Sequence, residues 1–532
     1  MQAKPLQQIF LYLRGTMATE QEFIDRIRAG YTFKGECYQL GCGMLDGKVV
    51  PEAIINIPYR TLNRHGLIAG ATGTGKTKTL QVLAEGLSDA SIPVLLLDIK
   101  GDLSGLGAAG AANEKITERY KLLNLEYKPS AYPVELLTLS NQEGVRLRAT
   151  VSEFGPVLLS KILELNDTQA GFVAIIFKYC DDNKMPLLDL KDFIKVLQFI
   201  SNEGKKELEK DYGKISTAST GTILRKAIEL QQQGADGFFG EKSFEVDDLM
   251  RISDDGRGII SILRVPDLQD RPRMFSTFML QMLAELYATN PEEGDLDKPK
   301  LILFIDEAHL IFRDANKPLL EQIETIIRLI RSKGIGIYFC TQNPTDIPPN
   351  VLAQLGLKIQ HSLRAFTAAD RKMIKQTAEN YPETEFYKTE DLLTQLGIGE
   401  ALVTALNEKG APAPLVHCMM GSPKSRMDIL SEAEIKSIVL KSKITGKYNE
   451  VIDSKSAYEM LTEKLEEAEQ ATVKEKEAKA EAKQSNAPAK KEKTIFDDPV
   501  VRSMTRTAGN TLVRSLLGAL GLGGRSRKKS IF

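Results

Sequence analysis

The run Gly70-Ala71-Thr72-Gly73-Thr74-Gly75-Lys76-Thr77 restricts what this chain can become more than any other segment. It has the spacing G-x-x-x-x-G-K-[ST], in which glycines let the backbone curl until successive N–H groups converge on one point. Such a nest suits the phosphates of a nucleoside triphosphate. Lys76 reaches the β and γ oxygens, and the Thr77 hydroxyl can serve Mg2+. His65 to Ala69 reads as a buried strand before the loop, and Thr79 to Leu87 as a helix after it, whose positive dipole end adds to the attraction. The expected grip therefore comprises Gly70, Ala71, Thr72, Gly73, Thr74, Gly75, Lys76, Thr77 and Thr79 in the first helical turn.

A second apolar strand, Lys300-Leu301-Ile302-Leu303-Phe304-Ile305, ends in Asp306-Glu307-Ala308-His309. A strand buried on both faces that finishes in two acids presents them at the carboxyl edge of a sheet, where α/β proteins hold ligands. Asp306 is the expected Mg2+ partner. Glu307 is placed to polarise water for attack on the γ-phosphate, and two acids point to hydrolysis where one would serve binding. A third apolar run, Gly334 to Cys340, ends in Thr341-Gln342-Asn343-Pro344. If it lies beside the Asp306 strand, Gln342 reaches the γ-phosphate and senses nucleotide state. Pro93 to Asp98 is a further strand, running into Ile99-Lys100-Gly101-Asp102; Asp98 and Lys100 belong either to the rim of the site or to loop and helix caps.

At 532 residues the chain has room for two or three domains, or for one enlarged α/β domain with insertions. Five cysteines without a CxxC pair fit reduced thiols, and four scattered histidines offer no zinc spacing, so Mg2+ is the only metal expected. No run approaches the ~20 apolar residues of a spanning helix, and the N-terminus lacks a signal peptide, so a cytoplasmic protein with no integral membrane segment is expected. Residues 1–58 read as a helix followed by a short β element whose strands join at Asp46-Gly47, a lid or an edge. The nucleotide-binding core is expected over 59–425, with a mostly helical insertion at about 155–255 ahead of a return strand from Gly258 to Val265. Lys205, Lys206, Lys210 and Lys214 in that insertion are interleaved with Glu203, Glu207, Glu209 and Asp211, as on a solvated helix face, a reading favoured over contact with DNA. A helical extension, 426–453, leads to a Lys/Glu/Ala-rich tether over 454–496, helical or disordered, and a basic amphipathic tail over 497–532. That tail is a solubilising end, a docking segment or a nucleic-acid contact.

Taken together, Asn63 to Thr77, the Asp306-Glu307-Ala308-His309 strand end and Arg328 to Gln342 with Pro344 resemble the HerA/FtsK branch of P-loop motor ATPases. Arg148 to Pro156, with Leu163 to Gln169, is more closely similar to the bacterial helicase HerA-like C-terminal-domain family. The resemblance spans roughly 33–420 and implies a RecA-like α/β fold, a mostly parallel sheet flanked by helices. It also implies ATP and Mg2+ as cofactors, a homo-hexameric ring with nucleotide at the subunit interfaces, and action on double-stranded DNA. A ring motor of this kind also needs a cation that reaches the neighbour's γ-phosphate as charge develops there. Arg364 is favoured over Arg331, with Arg328 and Arg148 as outside candidates. Two functions follow as expectations: an ATP-driven DNA translocase or helicase-like motor, or an ATPase that drives protein assembly or secretion-related remodelling without threading nucleic acid. The protein partner of the second stays open.

Overall fold

The computed structural model describes residues 19–485, apart from 141, 215, 267–271, 295, 313–316 and 451. The basic tail, the end of the tether and the first residues of the chain lie outside that set. The chain divides into two compact units, Met1–Glu463 and Lys464–Phe532. In the second, the described residues 464–485 are helical.

The first unit is organised by one sheet of twelve strands. In chain order they are β1 (Cys37–Leu45), β2 (Lys48–Pro58), β3 (Gly66–Ala69), β4 (Val94–Asp98), β5 (Val134–Thr138), β6 (Val145–Arg146), β7 (Ile260–Arg264), β8 (Leu301–Ile305), β9 (Ile335–Thr341), β10 (Leu357–Gln360), β11 (Glu400–Thr404) and β12 (Val416–Met420). Their order across the sheet is β2-β1-β12-β11-β10-β3-β9-β8-β4-β7-β5-β6. From β10 to β6 every neighbouring pair is parallel; from β2 to β10 every pair is antiparallel. The parallel strands are near-continuous apolar runs because helices cover both faces: every residue of β3, β4, β8 and β9 is buried.

The Asp46-Gly47 turn joins β1 to β2 with φ of 49° and 75°, both left-handed, as a tight hairpin with right-twisting strands requires. The hairpin is an edge rather than a lid, since Gly41 of β1 pairs with Met420 of β12 and extends the main sheet. At Gly66 in β3 a Cβ would sit 2.4 Å from the Tyr338 ring, so only glycine lets the loop-bearing strand lie this close to β9.

Between β6 and β7 the chain leaves the sheet for a set of helices that includes Val151–Ile162, Asp167–Asp182, Leu190–Ser201 and Thr217–Gln232. It returns as β7, parallel to and between β4 and β5. The stretch most typical of the resembled family has a structural explanation here. Thr150 with Glu153, and Asn166 with Gln169, each form a capping box that opens a helix. Arg148 is buried and donates from Nη1 to the Tyr448 carbonyl at 3.0 Å, which gives it a structural partner within its own chain. Among the described residues no helix is long and apolar enough to cross a membrane.

Candidate nucleotide site

Five central strands set the site. In the order β10-β3-β9-β8-β4, the strand that ends in Gln342 lies between the strand that feeds the glycine loop and the one that ends in Asp306-Glu307. Ala69 pairs with Thr341 and Ile305 with Phe339, so the loop, Gln342 and both acids emerge at the same carboxyl edge. The sequence predicts each strand end; only the pairing brings them to one point.

Within the loop Gly70, Gly73 and Gly75 have φ of 153°, 82° and 116°, a region open to glycine and costly for other residues. At Gly70 a Cβ would also stand 2.5 Å from that of His361. Gly75 opens the helix Lys76–Asp89 without any side-chain cap, leaving its first-turn amides to a ligand. Lys76, 7% exposed, donates from Nζ to Ala71 O at 3.1 Å across the loop. Burial first, then the charge of Lys100, lowers its pKa. Such an ammonium gains most from an anion.

Asp306 and Glu307 are buried, and Glu307 adopts φ of +46°, a left-handed backbone that costs about 1–3 kcal/mol and recurs at functional sites. Lys100 at the end of β4 pairs with Glu307 Oε1 and stands 4.0 Å from Asp306 Oδ2. His309 Nδ1 lies 3.1 Å from Glu307 Oε2. Asp306 Oδ2 is buried with no hydrogen-bond partner among the described residues. Burial pushes the Asp306 carboxyl up to about 7; Lys100 opposes that rise and Glu307 adds to it. A buried carboxylate oxygen left without a donor beside a phosphate nest suits a divalent cation. Mg2+ takes one or two carboxylates together with phosphates and water, so it needs no all-protein cage. Asp98 has the other role open to it: its carboxylate accepts from the amides of Gly101, Asp102 and Leu103 and shapes the loop that carries Lys100.

Gln342 is exposed on a turn pinned by Asp346, whose Oδ2 accepts from Thr341 Oγ1 at 2.7 Å and Asn343 N at 3.2 Å. With His309, Phe312 and Asn343 it lines a cleft of about 520 Å³ beside the acids. Thr79 is 3% exposed, and its Oγ1 meets His361 Nε2 at 2.9 Å, a contact that ties the first helical turn to the residue after β10. Arg364 lies just past β10 and donates from Nη2 to Thr72 O at 3.0 Å, which puts it on its own phosphate loop. Arg331 precedes β9 and is exposed at the opposite sheet edge, a strand length of roughly 20 Å away.

Two supports escape sequence reading. His361 Nδ1 faces the Glu400 carbonyl at 2.8 Å; a carbonyl can only accept, so Nδ1 carries the proton and Nε2 accepts from Thr79. Burial holds this imidazole near pKa 4, hence neutral. Its only sequence signal is a polar residue just after the strand Leu357–Gln360. Arg119 has no local signal: its guanidinium donates to the carbonyls of Ile398, Gly399 and Met420 at 2.9–3.2 Å, while Gly399 N donates to Thr74 O of the loop at 3.2 Å. We expect Arg119→Met to lower stability by about 1.5–3 kcal/mol, the worth of hydrogen bonds from a charged donor, read as a lower urea midpoint with unchanged slope. An unaltered midpoint would show that the loop does not depend on this clamp.

A sequence profile for the helicase HerA-like C-terminal family matches residues 45–527, most of the chain. The chain belongs to that family. Its relatives include the DNA double-strand break repair helicase HerA of Sulfolobus acidocaldarius, 22% identical over 366 residues, 67% of this chain and 66% of that protein. Another is the DNA import protein CedB of the same organism, 22% identical over 370 residues, 67% of this chain and 52% of that protein. This HerA-like chain thus spans just under two thirds of the first relative and about half of the second. Among solved structures, the plasmid coupling protein TrwB with a non-hydrolysable ATP analogue aligns with a TM-score of 0.50 at 12% identity, over 78% of this chain and 96% of that one. That likeness is one of fold. By family the chain is HerA-like, and by fold it is a RecA-like, mostly parallel sheet that carries a phosphate loop at its carboxyl edge.

Proposed function

We propose that this HerA-like chain hydrolyses ATP with Mg2+ and works as a ring-shaped, six-subunit motor on double-stranded DNA. The observation that carries the reading is the placement of Gln342 between the phosphate loop and the buried pair Asp306-Glu307. The site has an anion nest, a cation for the β and γ oxygens, a carboxylate for the metal and a second for water. Asp306 and Thr77 would hold Mg2+, which would supply positive charge to the phosphate oxygens; Glu307 is placed to take the proton of the attacking water. Glu307 must first part from Lys100, and incoming phosphate oxygens offer Lys100 an alternative anion. Gln342 reads whether the γ-phosphate is present and passes that to the turn held by Asp346.

Arg364 is bonded to its own loop and serves the site of its own chain in this reading, with Arg331 as the remaining favoured candidate for the trans-acting cation. DNA as substrate is supported by the relatives, one named for break repair and one for DNA import. The test is steady-state hydrolysis with and without linear duplex DNA. We expect stimulation that falls log-linearly with salt, since a grip on phosphates releases counterions. An assembled oligomer that shows neither stimulation nor salt-dependent binding would favour remodelling of a protein partner.

A further inference from the structure

The acids fix which way a triphosphate lies. Its γ-phosphate must face Glu307 and Gln342, at the ends of β8 and β9, and its β-phosphate lies over the helix that opens at Gly75. The nucleoside then leaves on the other side of the loop, over the end of β10. Two segments there are hydrogen-bonded to the loop. Ala71 N donates to Ser362 O at 2.8 Å and Arg364 Nη2 to Thr72 O at 3.0 Å; Gly399 N donates to Thr74 O at 3.2 Å.

These segments carry Phe366 and Ile398, 81% and 74% exposed, the two most exposed large hydrophobic side chains among the described residues. Neither sits on slack backbone. Phe366 N donates to Asp370 Oδ2 at 3.0 Å beside a capping box at Thr367, and Ile398 O accepts from Arg119 at 2.9 Å. Phe366 is two residues from Arg364, within about 7 Å of chain. Held on two segments that both bond to the phosphate loop, these apolar side chains are placed to line the exit of a ligand from it.

We propose that Phe366 and Ile398 form the platform for the adenine ring of bound ATP, with the Arg364 guanidinium beside the ribose and α-phosphate. The proposal rests on the ATP reading of the phosphate loop. An aromatic face suits a base because both present π surfaces, and stacking tolerates the open geometry seen here.

The test compares ATP, in a Glu307→Gln background, with inorganic tripolyphosphate, by calorimetry on the full chain. We expect Phe366→Ala to weaken ATP binding roughly 5- to 100-fold and leave tripolyphosphate unchanged. The chain contains no tryptophan, so Phe366→Trp adds a single reporter whose emission changes with ATP and not with tripolyphosphate. Equal losses for both ligands in Phe366→Ala, or no loss, overturn the platform. So does a smaller oligomer by sedimentation with base affinity intact, which would assign the two side chains to contact with a second copy. If the unsubstituted chain binds neither ligand, the phosphate reading fails and the platform with it; binding of both with no effect of Phe366→Ala removes the platform alone.

Discussion

Glu307→Gln is expected to retain ATP and to turn it over about 10²- to 10⁴-fold more slowly, the usual contribution of a positioned general base. The substitution conserves shape and removes one charge. Nothing in the phosphate nest changes: Gly70, Gly73 and Gly75 keep their backbone, and Lys76 keeps its bond to Ala71 O. Lys100 loses its closest anion but keeps Asp306 at 4.0 Å, so the loop that carries it stays anchored. The strained backbone at residue 307 still aims the side chain into the site. Filter retention of labelled ATP beside phosphate release would separate the two effects. Turnover equal to that of the unsubstituted chain would remove Glu307 as the base and leave His309, 3.1 Å from it, as the group to test.

Lys76→Ala acts at the earlier step. Removing one partner from a largely buried charge pair costs about 2–5 kcal/mol, so ATP affinity should fall by roughly 30-fold to several thousand-fold. The unliganded protein should lose little. Lys76 is a buried ammonium with a lowered pKa, and its removal also relieves repulsion with Lys100. The expected signature in thermal denaturation is therefore an unchanged or slightly higher Tm without nucleotide, together with loss of the upward shift that ATP produces by binding the folded state alone. A Tm that drops without ATP, with the ATP shift intact, would mean that Lys76 holds the loop rather than the phosphates.

How much was legible in advance depended on distance along the chain. The glycine loop, the strand before it and the helix after it are contiguous, and their chemistry is dictated by local backbone freedom and by one lysine. The apolar runs that end in Asp306-Glu307 and in Gln342 were readable because parallel strands buried on both faces leave an uninterrupted hydrophobic signature. The Asp46-Gly47 hairpin was readable because few residues accept two successive left-handed conformations.

Contacts between distant segments were not legible. Arg119 serves carbonyls of residues 398, 399 and 420, far along the chain and reached through backbone atoms that carry no residue identity. Thr79 sits at a nucleotide-binding spacing, and nothing in that spacing shows its contact with the neutral His361. Arg364, the favoured candidate to reach a neighbouring subunit, donates to Thr72 O of its own loop, a contact made by the turn after β10 that no local pattern encodes.

By itself, then, the sequence determined a phosphate loop, two acids and a glutamine at the ends of buried strands. Local conformational preference and hydrophobic pattern suffice for each. The tertiary structure decided that the glutamine strand lies between the other two, that Lys100 faces Glu307, and that the loop rests on His361 and the Arg119 clamp. These depend on strand order and on side chains that meet only when the sheet closes, which no stretch of contiguous sequence encodes.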